Sequence, residues 1–219
     1  MNSRSAIGSI LILLCLLAAP PGIAGDAASS LPTRWAERLV SVPEITLNDM
    51  DAEARDSVVT AREQLNAVLQ DETATADRIA DAYGELGGLY QVYLVSPAAE
   101  ACYKNAIQLA PEQFRWLYYA AYLADKSGIS ELAAVRYESA RQLRPEYLAL
   151  TVRLGNLRLD LNQLDAAQAE FEKVATTAGL EAASLYGLGQ VALLQRDFET
   201  AIDYFTRALA IEPEATRIH

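Results

Sequence analysis

The stretch ALAIEP at Ala208–Pro213 has two close relatives upstream, ARQLRP at Ala140–Pro145 and AIQLAP at Ala106–Pro111. The closing prolines of the two upstream stretches are 34 residues apart, and the last two closing prolines are 68 residues apart. A spacing of 34 therefore predicts one further copy, which ends at Gly179 after the diverged residues VATTA. The chain thus contains an internal repeat in four windows: 80–113, 114–147, 148–181 and 182–215.

Three positions of the aligned windows keep one type of residue. Small residues at the eighth and twentieth positions allow two helix backbones to approach closely. The aromatic residue at the twenty-fourth position lies on the same helix face as the twentieth and fills the space that the small residues leave. The closing proline ends the second helix, so each window predicts a helical hairpin whose apolar face is covered by its neighbours. These residues are Gly87, Ala121, Gly155 and Gly189, then Ala99, Ala133, Ala167 and Ala201, and then Tyr103, Tyr137, Phe171 and Phe205.

This pattern, with its period of 34 residues, resembles the tetratricopeptide repeat. The resemblance implies an all-α fold, an α-solenoid of four tetratricopeptide-type helical hairpins, to which the sequence adds one N-terminal helix. The match has gaps. The family's aromatic residue at position eleven is present only as Tyr90, and the third window has Thr151, Thr177 and no closing proline where the family pattern asks for other residues. The third window is therefore predicted to be the least regular.

The composition is that of a folded protein rich in helix. Apolar residues make up 52% of the chain, and only 8 prolines and 11 glycines interrupt its helical patterns. The net charge is −11 at pH 7. Nucleic acid and anionic lipid bind clustered lysine and arginine, so an acidic chain of this kind predicts neither as a partner.

Residues 1–24 are predicted to be a signal peptide. Arg4 precedes an apolar run, and the small residues Gly22 and Ala24 form the expected cleavage site. The apolar run is shorter than the roughly 20 residues that a spanning helix needs, so no integral membrane segment is predicted after leader cleavage. The expected location is periplasmic or secreted. The alternatives are an uncleaved anchor and a lipoprotein modified at Cys15, whose preceding leucine is a poor match to a lipidation site.

Residues 25–50 are predicted to be a tether or docking segment, and residues 51–70 an amphipathic helix that covers the outer face of the first hairpin. Asp49 or Asp51 can cap the start of this helix. With Glu53 these aspartates faintly imitate a calcium loop, but an alanine stands where that loop needs glycine, so a helix cap is favoured. The apolar stripe of the helix, spaced by four and three residues, consists of Ala54, Val58, Ala61, Leu65 and Val68.

Residues 216–219 are predicted to begin a fifth window that is truncated. A repeat array needs a polar cap, because its last hairpin otherwise exposes an apolar face. We therefore expect either a fragment of a longer protein, which is the favoured interpretation, or a face that docks on a partner. Self-association through the uncapped C-terminal repeat is one form of such docking.

Residues that common catalytic and metal sites need are scarce in the sequence. Its single histidine, His219, argues against histidine-based triads and leaves zinc sites of the usual kind without ligands. The sequence has no C-x-x-C-H haem motif and no glycine-rich phosphate loop. Cys102, the one cysteine outside the predicted leader, is expected to be a buried structural side chain. We predict no cofactor, no metal and no enzyme activity, with catalysis by carboxylates alone left open.

In the resembling family, the first helices of successive repeats line a concave groove that holds peptides or partner segments. Transferred by position, that surface implies partner-binding residues of the types enriched at interface hot spots. Gly84 and Gly88 of the first window are expected to open room in the groove. The alternative for any one of the tyrosines is packing between hairpins. The candidate residues are Arg115, Tyr118, Tyr119, Tyr122, Arg153, Asn156, Tyr186 and Gln190.

The sequence therefore predicts a non-catalytic scaffold that binds protein partners of the cell envelope. Two alternatives stay open, namely the N-terminal arm of a longer enzyme and a part of an envelope or polysaccharide-export assembly. Arg153 and Asn156 match only part of the carboxylate clamp found in some members of the resembling family, so a chain end is a poorly supported ligand.

Overall fold

The structure is a computed structural model, and it describes Trp35, residues 38–48 and residues 50–213. The predicted signal peptide, Asp49 and the predicted start of a fifth window lie outside the described residues. Within the described part of the chain, no helix combines the length and the apolar character that crossing a bilayer requires.

The described residues form one N-terminal helix followed by four helical hairpins. The helices are α1 (Ala52–Gln70), α2 (Ala76–Val92), α3 (Ser96–Leu109), α4 (Phe114–Lys126), α5 (Ser130–Leu143), α6 (Ala149–Asp160), α7 (Leu164–Glu172), α8 (Glu181–Leu194) and α9 (Phe198–Ile211). Each hairpin packs on the next one along the chain, and α1 packs on α2. The predicted all-α solenoid of four hairpins with an extra N-terminal helix is confirmed.

The two helices of each hairpin approach closely at the eighth position of the repeat. A Cβ atom added to Gly155 would lie 2.6 Å from the ring of Phe171, and one added to Gly189 would lie 2.5 Å from the ring of Phe205. In the second hairpin, a fully buried alanine at this position belongs to the same core cluster as the aromatic ring of Tyr137. The ring at the twenty-fourth position thus occupies the space that the small residue leaves.

The turn between the two helices has the same form in all four hairpins. At its fifteenth repeat position the backbone is left-handed, with φ between 56° and 73°. The N–H of the following residue donates to the carbonyl five residues back, as from Ile129 to Ala124 at 2.9 Å, which closes the helix end. Glycine adopts this conformation without steric cost, but only one of the four hairpins has glycine at this position. The four residues are Leu94, Gly128, Asn162 and Arg196.

The third hairpin is the least regular of the four. Its second helix, α7, has nine residues, and turns follow over residues 173–180. Gly179 stands where the other three windows have a closing proline, and its φ is 80°. The nearly buried carboxylate of Glu170 on α7 pairs with Arg141 at 2.8 Å and with Lys173 at 2.9 Å. This hairpin therefore combines a short second helix with a nearly buried carboxylate held by two cations, where the repeat pattern is weakest.

The chain before α1 packs on the core of the first hairpin; we call residues 38–48 the N-terminal segment. Its Leu39 is buried in the core shared by α1, α2 and α3. The carboxamide of Asn105, fully buried on α3, donates to the Val40 carbonyl at 2.9 Å and accepts from the Val40 N–H at 2.8 Å. The side chain of Asn105 thus pairs with the backbone of Val40 through both of its polar atoms.

Helix α1 begins at a side-chain cap. The carboxylate of Asp51 accepts the N–H of Ala54 at 2.8 Å, as expected for a helix N-cap. At the other end of the helix, the buried stripe passes through Leu69. Val68, which the sequence placed in the stripe, lies beside it and is only partly buried. The buried stripe consists of Ala54, Val58, Ala61, Leu65 and Leu69.

Candidate partner-binding groove

A groove with a volume of about 930 Å³ runs across the first helices of the first three hairpins. Helix α4 forms its aromatic wall, α2 forms the facing wall and α6 contributes one cation. The turn between α2 and α3 closes one side. Its polar and aromatic lining residues include Glu85, Tyr103, Tyr118, Tyr119, Tyr122, Lys126 and Arg153, and its aliphatic ones are Leu89, Val92, Leu94 and Leu123.

Three tyrosines of α4 form the aromatic wall, because spacings of one and three to four residues place them on adjoining strips of one helix face. The rings of Tyr118 and Tyr119 are 5.8 Å apart in an edge-on arrangement, and the ring of Tyr147 stands at 90° to Tyr118 at 5.9 Å. Such geometries are favoured between aromatic rings. Tyr119 is exposed, and Tyr118 and Tyr122 are half-buried, so the wall offers both ring surface and hydroxyl groups.

Two cations flank the ring of Tyr122. The guanidinium of Arg153 lies 5.3 Å from the centre of that ring, and the ammonium of Lys126 lies 5.6 Å from it. Both distances are within the range of cation–π attraction. Arg153 approaches the carboxylate of Asp125 only to 4.0 Å, and Lys126 forms no ion pair with any described residue. This end of the groove therefore carries positive charge that is weakly compensated.

Tyr137 supports the aromatic wall from below. It is fully buried, and its ring centre lies 5.8 Å from that of Tyr118. Burial raises the pKa of the Tyr137 hydroxyl, so the residue stays neutral at physiological pH. Burial likewise raises the pKa of Tyr118. The wall is thus a neutral aromatic surface beside the two cations.

Arg115 lies beside the groove and links α4 to α2. Its guanidinium pairs with Asp81 at 3.1 Å and with Glu85 at 3.0 Å, and it lies 3.9 Å from the centre of the Trp116 ring. These contacts place Arg115 in a role of holding the two helices together. Its charge is already matched by two carboxylates.

Of the two glycines of α2 that are expected to open room in the groove, Gly88 does so and Gly84 does not. Gly88 lines the groove, and a Cβ added there would come no closer than 3.9 Å, to the hydroxyl of Tyr103. The space at Gly84, in contrast, is occupied by the buried indole of Trp116, which a Cβ on that glycine would overlap. Gly84 therefore opens room for α4 to pack on α2, and none for a partner.

The other candidates lie away from this groove. Tyr186 on α8 is half-exposed, and its ring packs 5.5 Å from that of Phe205 in the fourth hairpin. Asn156 and Gln190 do not line the groove either. The structure therefore brings together Tyr118, Tyr119, Tyr122 and Arg153 of the eight predicted residues, with Arg115 at the border.

Leu94 is a groove residue that the sequence reasoning missed. It is 86% exposed, its φ is 60°, and it lines the groove at the turn between α2 and α3. The left-handed turn is common to all four hairpins, but only here does it hold an exposed aliphatic side chain. The signal was present in the window alignment, where leucine stands opposite Gly128 at the fifteenth position.

A second cleft, of about 770 Å³, lies between α1 and α2 and adjoins the groove, since Glu85 and Leu89 line both. Its wall also carries Glu53 and Asp56, and no basic side chain lines it. The surface across α1 and α2 is therefore acidic.

The described residues offer little for redox or metal chemistry. Burial raises the pKa of the Cys102 thiol, so this fully buried side chain is neutral. Among the residues that the structure describes, no three histidine, cysteine, aspartate or glutamate side chains are grouped so as to hold a metal ion.

Comparison with known proteins agrees with this architecture. A family profile described as tetratricopeptide repeat matches residues 152–216. No curated protein matches the chain in sequence. A crystal structure of MamA aligns with 80% of this chain and 99% of its own at 16% identity, with a TM-score of 0.63. A tetratricopeptide repeat protein from Parabacteroides merdae aligns with 74% of this chain and 64% of its own at 19% identity, with a TM-score of 0.64.

A third solved structure, YrrB, is described as a tetratricopeptide repeat protein with an unusual peptide-binding site. It is 20% identical, covers 74% of this chain and 84% of its own, and has a TM-score of 0.60. At such low identities these likenesses establish the fold.

Proposed function

We propose, on the premise that this chain is built of tetratricopeptide repeats, that it is a non-catalytic scaffold that binds an extended peptide or partner segment in the groove between α2, α4 and α6. The observation that carries this proposal is the wall of Tyr118, Tyr119 and Tyr122 beside the cation of Arg153. Tyrosine offers apolar area with a hydroxyl group, and arginine offers a planar set of donors, which are features of interface hot spots.

The exposure of Leu94 supports the same site. Its side chain is 86% exposed where it lines the groove, and a partner that covers it would gain the free energy of burying an apolar side chain. The peptide-binding description of YrrB, a protein of the same fold, is in keeping with this use of the array.

The experiment is a selection of displayed random octapeptides on the purified chain. We expect enriched peptides whose binding is lost in a variant that combines Tyr118→Ala with Tyr122→Ala. Tyr186→Ala is the matched control, because it removes a half-exposed tyrosine outside the groove. Circular dichroism must show the same helix content in all three proteins. Enriched peptides that bind the groove variant as well as the parent would place binding elsewhere, and a selection without enrichment would overturn the proposal.

Helix α9 offers a second contact surface. This surface could serve self-association through the fourth hairpin or attachment to a longer enzyme or envelope assembly. Phe198 and Ile202 are 60% and 66% exposed, and Leu209 is also exposed, on one stripe of that helix. Sedimentation should detect a self-associated species that Ile202→Asp removes and Val135→Asp, at an isolated exposed valine on α5, leaves unchanged. A monomer at all concentrations would exclude the self-association.

For location, the proposal is export to the periplasm or beyond, where the partners are envelope proteins. It is supported by the leader-like pattern of residues 1–24, in which Gly22 and Ala24 precede the expected cleavage point. N-terminal sequencing of the protein from its host should begin at or near Gly25. An intact Met1 on a membrane-bound protein would contradict this.

A further inference from the structure

The groove and the adjoining α1–α2 cleft carry acidic charge at one end. Glu53, Asp56 and Glu85 line the cleft, and no basic residue does. The nearby Arg115 is shared between Asp81 and Glu85, and the side chain of Glu85 remains 67% exposed. Four carboxylates, those of Glu53, Asp56, Asp81 and Glu85, therefore lie at this end together with Arg115.

The two arginines of α1 keep their positive charges, because their hydrogen-bond acceptors are neutral, but they lie outside the lining of the cleft. Arg55 donates to the carbonyl groups of Leu47 and Met50, next to the N-terminal segment. Arg62 donates to the hydroxyl of Tyr90 at 2.7 Å. Neither arginine lines the cleft.

The opposite end of the groove is basic. Lys126 and Arg153 both lie within 6 Å of the centre of the Tyr122 ring, and the carboxylate of Asp125 stands 4.0 Å from Arg153. Between the two ends, the lining is apolar and aromatic, with Leu89, Leu94 and Tyr119. The surface is therefore ordered as acidic, apolar and basic along the stack of helices.

The length of this surface sets the size of the segment that it fits. Four helices border this surface in the order α1, α2, α4 and α6, and axes that are at least about 8–10 Å apart at each of the three steps give it a length of no less than roughly 24–30 Å. An extended chain covers about 3.3–3.6 Å per residue, so roughly eight residues span it.

We propose that the partner segment is an extended stretch of about eight residues with separated charges: basic at the end that lies on α1 and α2, aliphatic or aromatic in the middle, and acidic at the end that lies between Lys126 and Arg153. This inference rests on the proposed function, and it adds the chemistry of the ligand. Complementary charges at the two ends fix the register of the segment, and the apolar middle supplies buried area.

The test uses the peptides enriched from the random octapeptide library on the full chain. We expect basic residues to cluster at one end of the enriched sequences and acidic residues at the other. The most enriched peptide is then synthesised with blocked ends, together with a version of identical composition in which the acidic and basic positions are interleaved. The parent peptide should bind at least about tenfold more tightly than the interleaved version, because several ion pairs are lost together.

Two further measurements distinguish a requirement for charge order from nonspecific electrostatic attraction. The difference in affinity between the two peptides should shrink at 0.5 M salt, where the Debye length falls to about 4 Å. Lys126→Glu should also reduce it, whereas Lys104→Glu, which makes the same change of net charge outside the groove, should not. Lys126 is exposed, so its substitution leaves the fold intact.

The possible outcomes distinguish the two proposals. Enriched peptides that depend on Tyr118 and Tyr122 but show no charge order, or that bind equally when interleaved, would overturn this inference and leave the proposed function standing. A library that yields no groove-dependent peptide would overturn both.

Discussion

The ring of Phe171 lies against the α-carbon of Gly155, so closely that a Cβ on that glycine would stand 2.6 Å from the ring. The same ring also fills the space above Gly187 of the next hairpin. One aromatic side chain thus depends on the absence of side chains from two different helices, α6 and α8. The repeat pattern of small and aromatic residues is therefore a packing requirement at this point.

Gly155→Leu should lower the free energy of unfolding by about 1–3 kcal/mol, because it forces a bulky group into an occupied site. The measurement is the urea midpoint. Gly88→Ala is the matched control, since its new Cβ would meet nothing closer than 3.9 Å, and it should leave the midpoint equal or higher. Equal midpoints for the parent and Gly155→Leu would contradict the packing described for the third hairpin.

Leu94→Gly should stabilise the fold by about 0.5–1 kcal/mol, because glycine adopts the left-handed conformation without the steric cost that leucine has there. We also expect weaker binding of groove peptides, because the exposed leucine side chain is removed. Arg196→Gly makes the same change at the corresponding turn of the fourth hairpin. It should stabilise by a similar amount with binding unchanged. A loss of peptide affinity in both variants, or in neither, would argue against a role for Leu94 in the groove.

Asn105→Ala should release the N-terminal segment, because the carboxamide makes both hydrogen bonds to Val40. Hydrogen exchange at the Val40 amide should become markedly faster than in the parent. Ser139→Ala, at the same repeat position on α5, removes only a bond to the carbonyl of its own helix and should leave that amide protected. Unchanged protection in Asn105→Ala would mean that packing at Leu39 alone holds the segment.

Cys102 should resist alkylation in the folded protein, because it is fully buried and burial raises the pKa of its thiol. The experiment uses a Cys15→Ser background, so that the label reports on Cys102 only. Labelling at pH 8 should follow the rate of unfolding and become rapid in denaturant. Fast labelling under native conditions would show that the first hairpin opens locally.

Stability should fall above about pH 10, the usual pKa of an unfolded tyrosine. Burial raises the pKa values of Tyr83, Tyr103 and Tyr137 in the folded state, so these residues bind their protons more tightly than the unfolded chain does. Their contribution to the free energy of unfolding is complete below the tyrosine pKa of the unfolded chain. It is lost as the pH rises through the tyrosine pKa of the folded protein. Urea midpoints from pH 8 to 11, together with tyrosinate absorbance, provide the measurement.

Tyr137→Phe is the matching variant for this alkaline transition. With rising pH, its urea midpoint should decline less steeply than that of the parent protein, because one buried hydroxyl no longer titrates. It should also be at least as stable at pH 8, since the Tyr137 hydroxyl has no hydrogen-bond partner among the described residues. A decline as steep as that of the parent would assign the transition to other groups.

The sequence predicts the hairpins well because the residues at the eighth and twenty-fourth positions contact each other, as Gly189 and Phe205 do. It predicts the groove less well, because a repeat position does not say which neighbouring side chain takes the available space. Trp116 fills the site at Gly84, and because this contact joins two windows, the pattern within one window does not predict it. Tyr118 and Tyr186 share the fifth position, yet only Tyr118 lines the groove, which ends at α6.

The buried core consists of three clusters, and the boundary between the last two runs through the third hairpin, where Phe171 still contacts Gly155 of α6. The buried side chains of α6, such as Leu154, cluster with those of α4 and α5, whereas the buried Phe171 of α7 clusters with residues of α8. In a nearest-neighbour description of repeat proteins, stability is a sum of hairpin terms and interface terms, and among the described residues the fourth hairpin packs on one neighbouring hairpin only. The groove residues from Glu85 to Arg153 all lie in the first three hairpins. Subglobal opening of the last hairpin should therefore cost less than global unfolding and should leave the affinity of the groove unchanged.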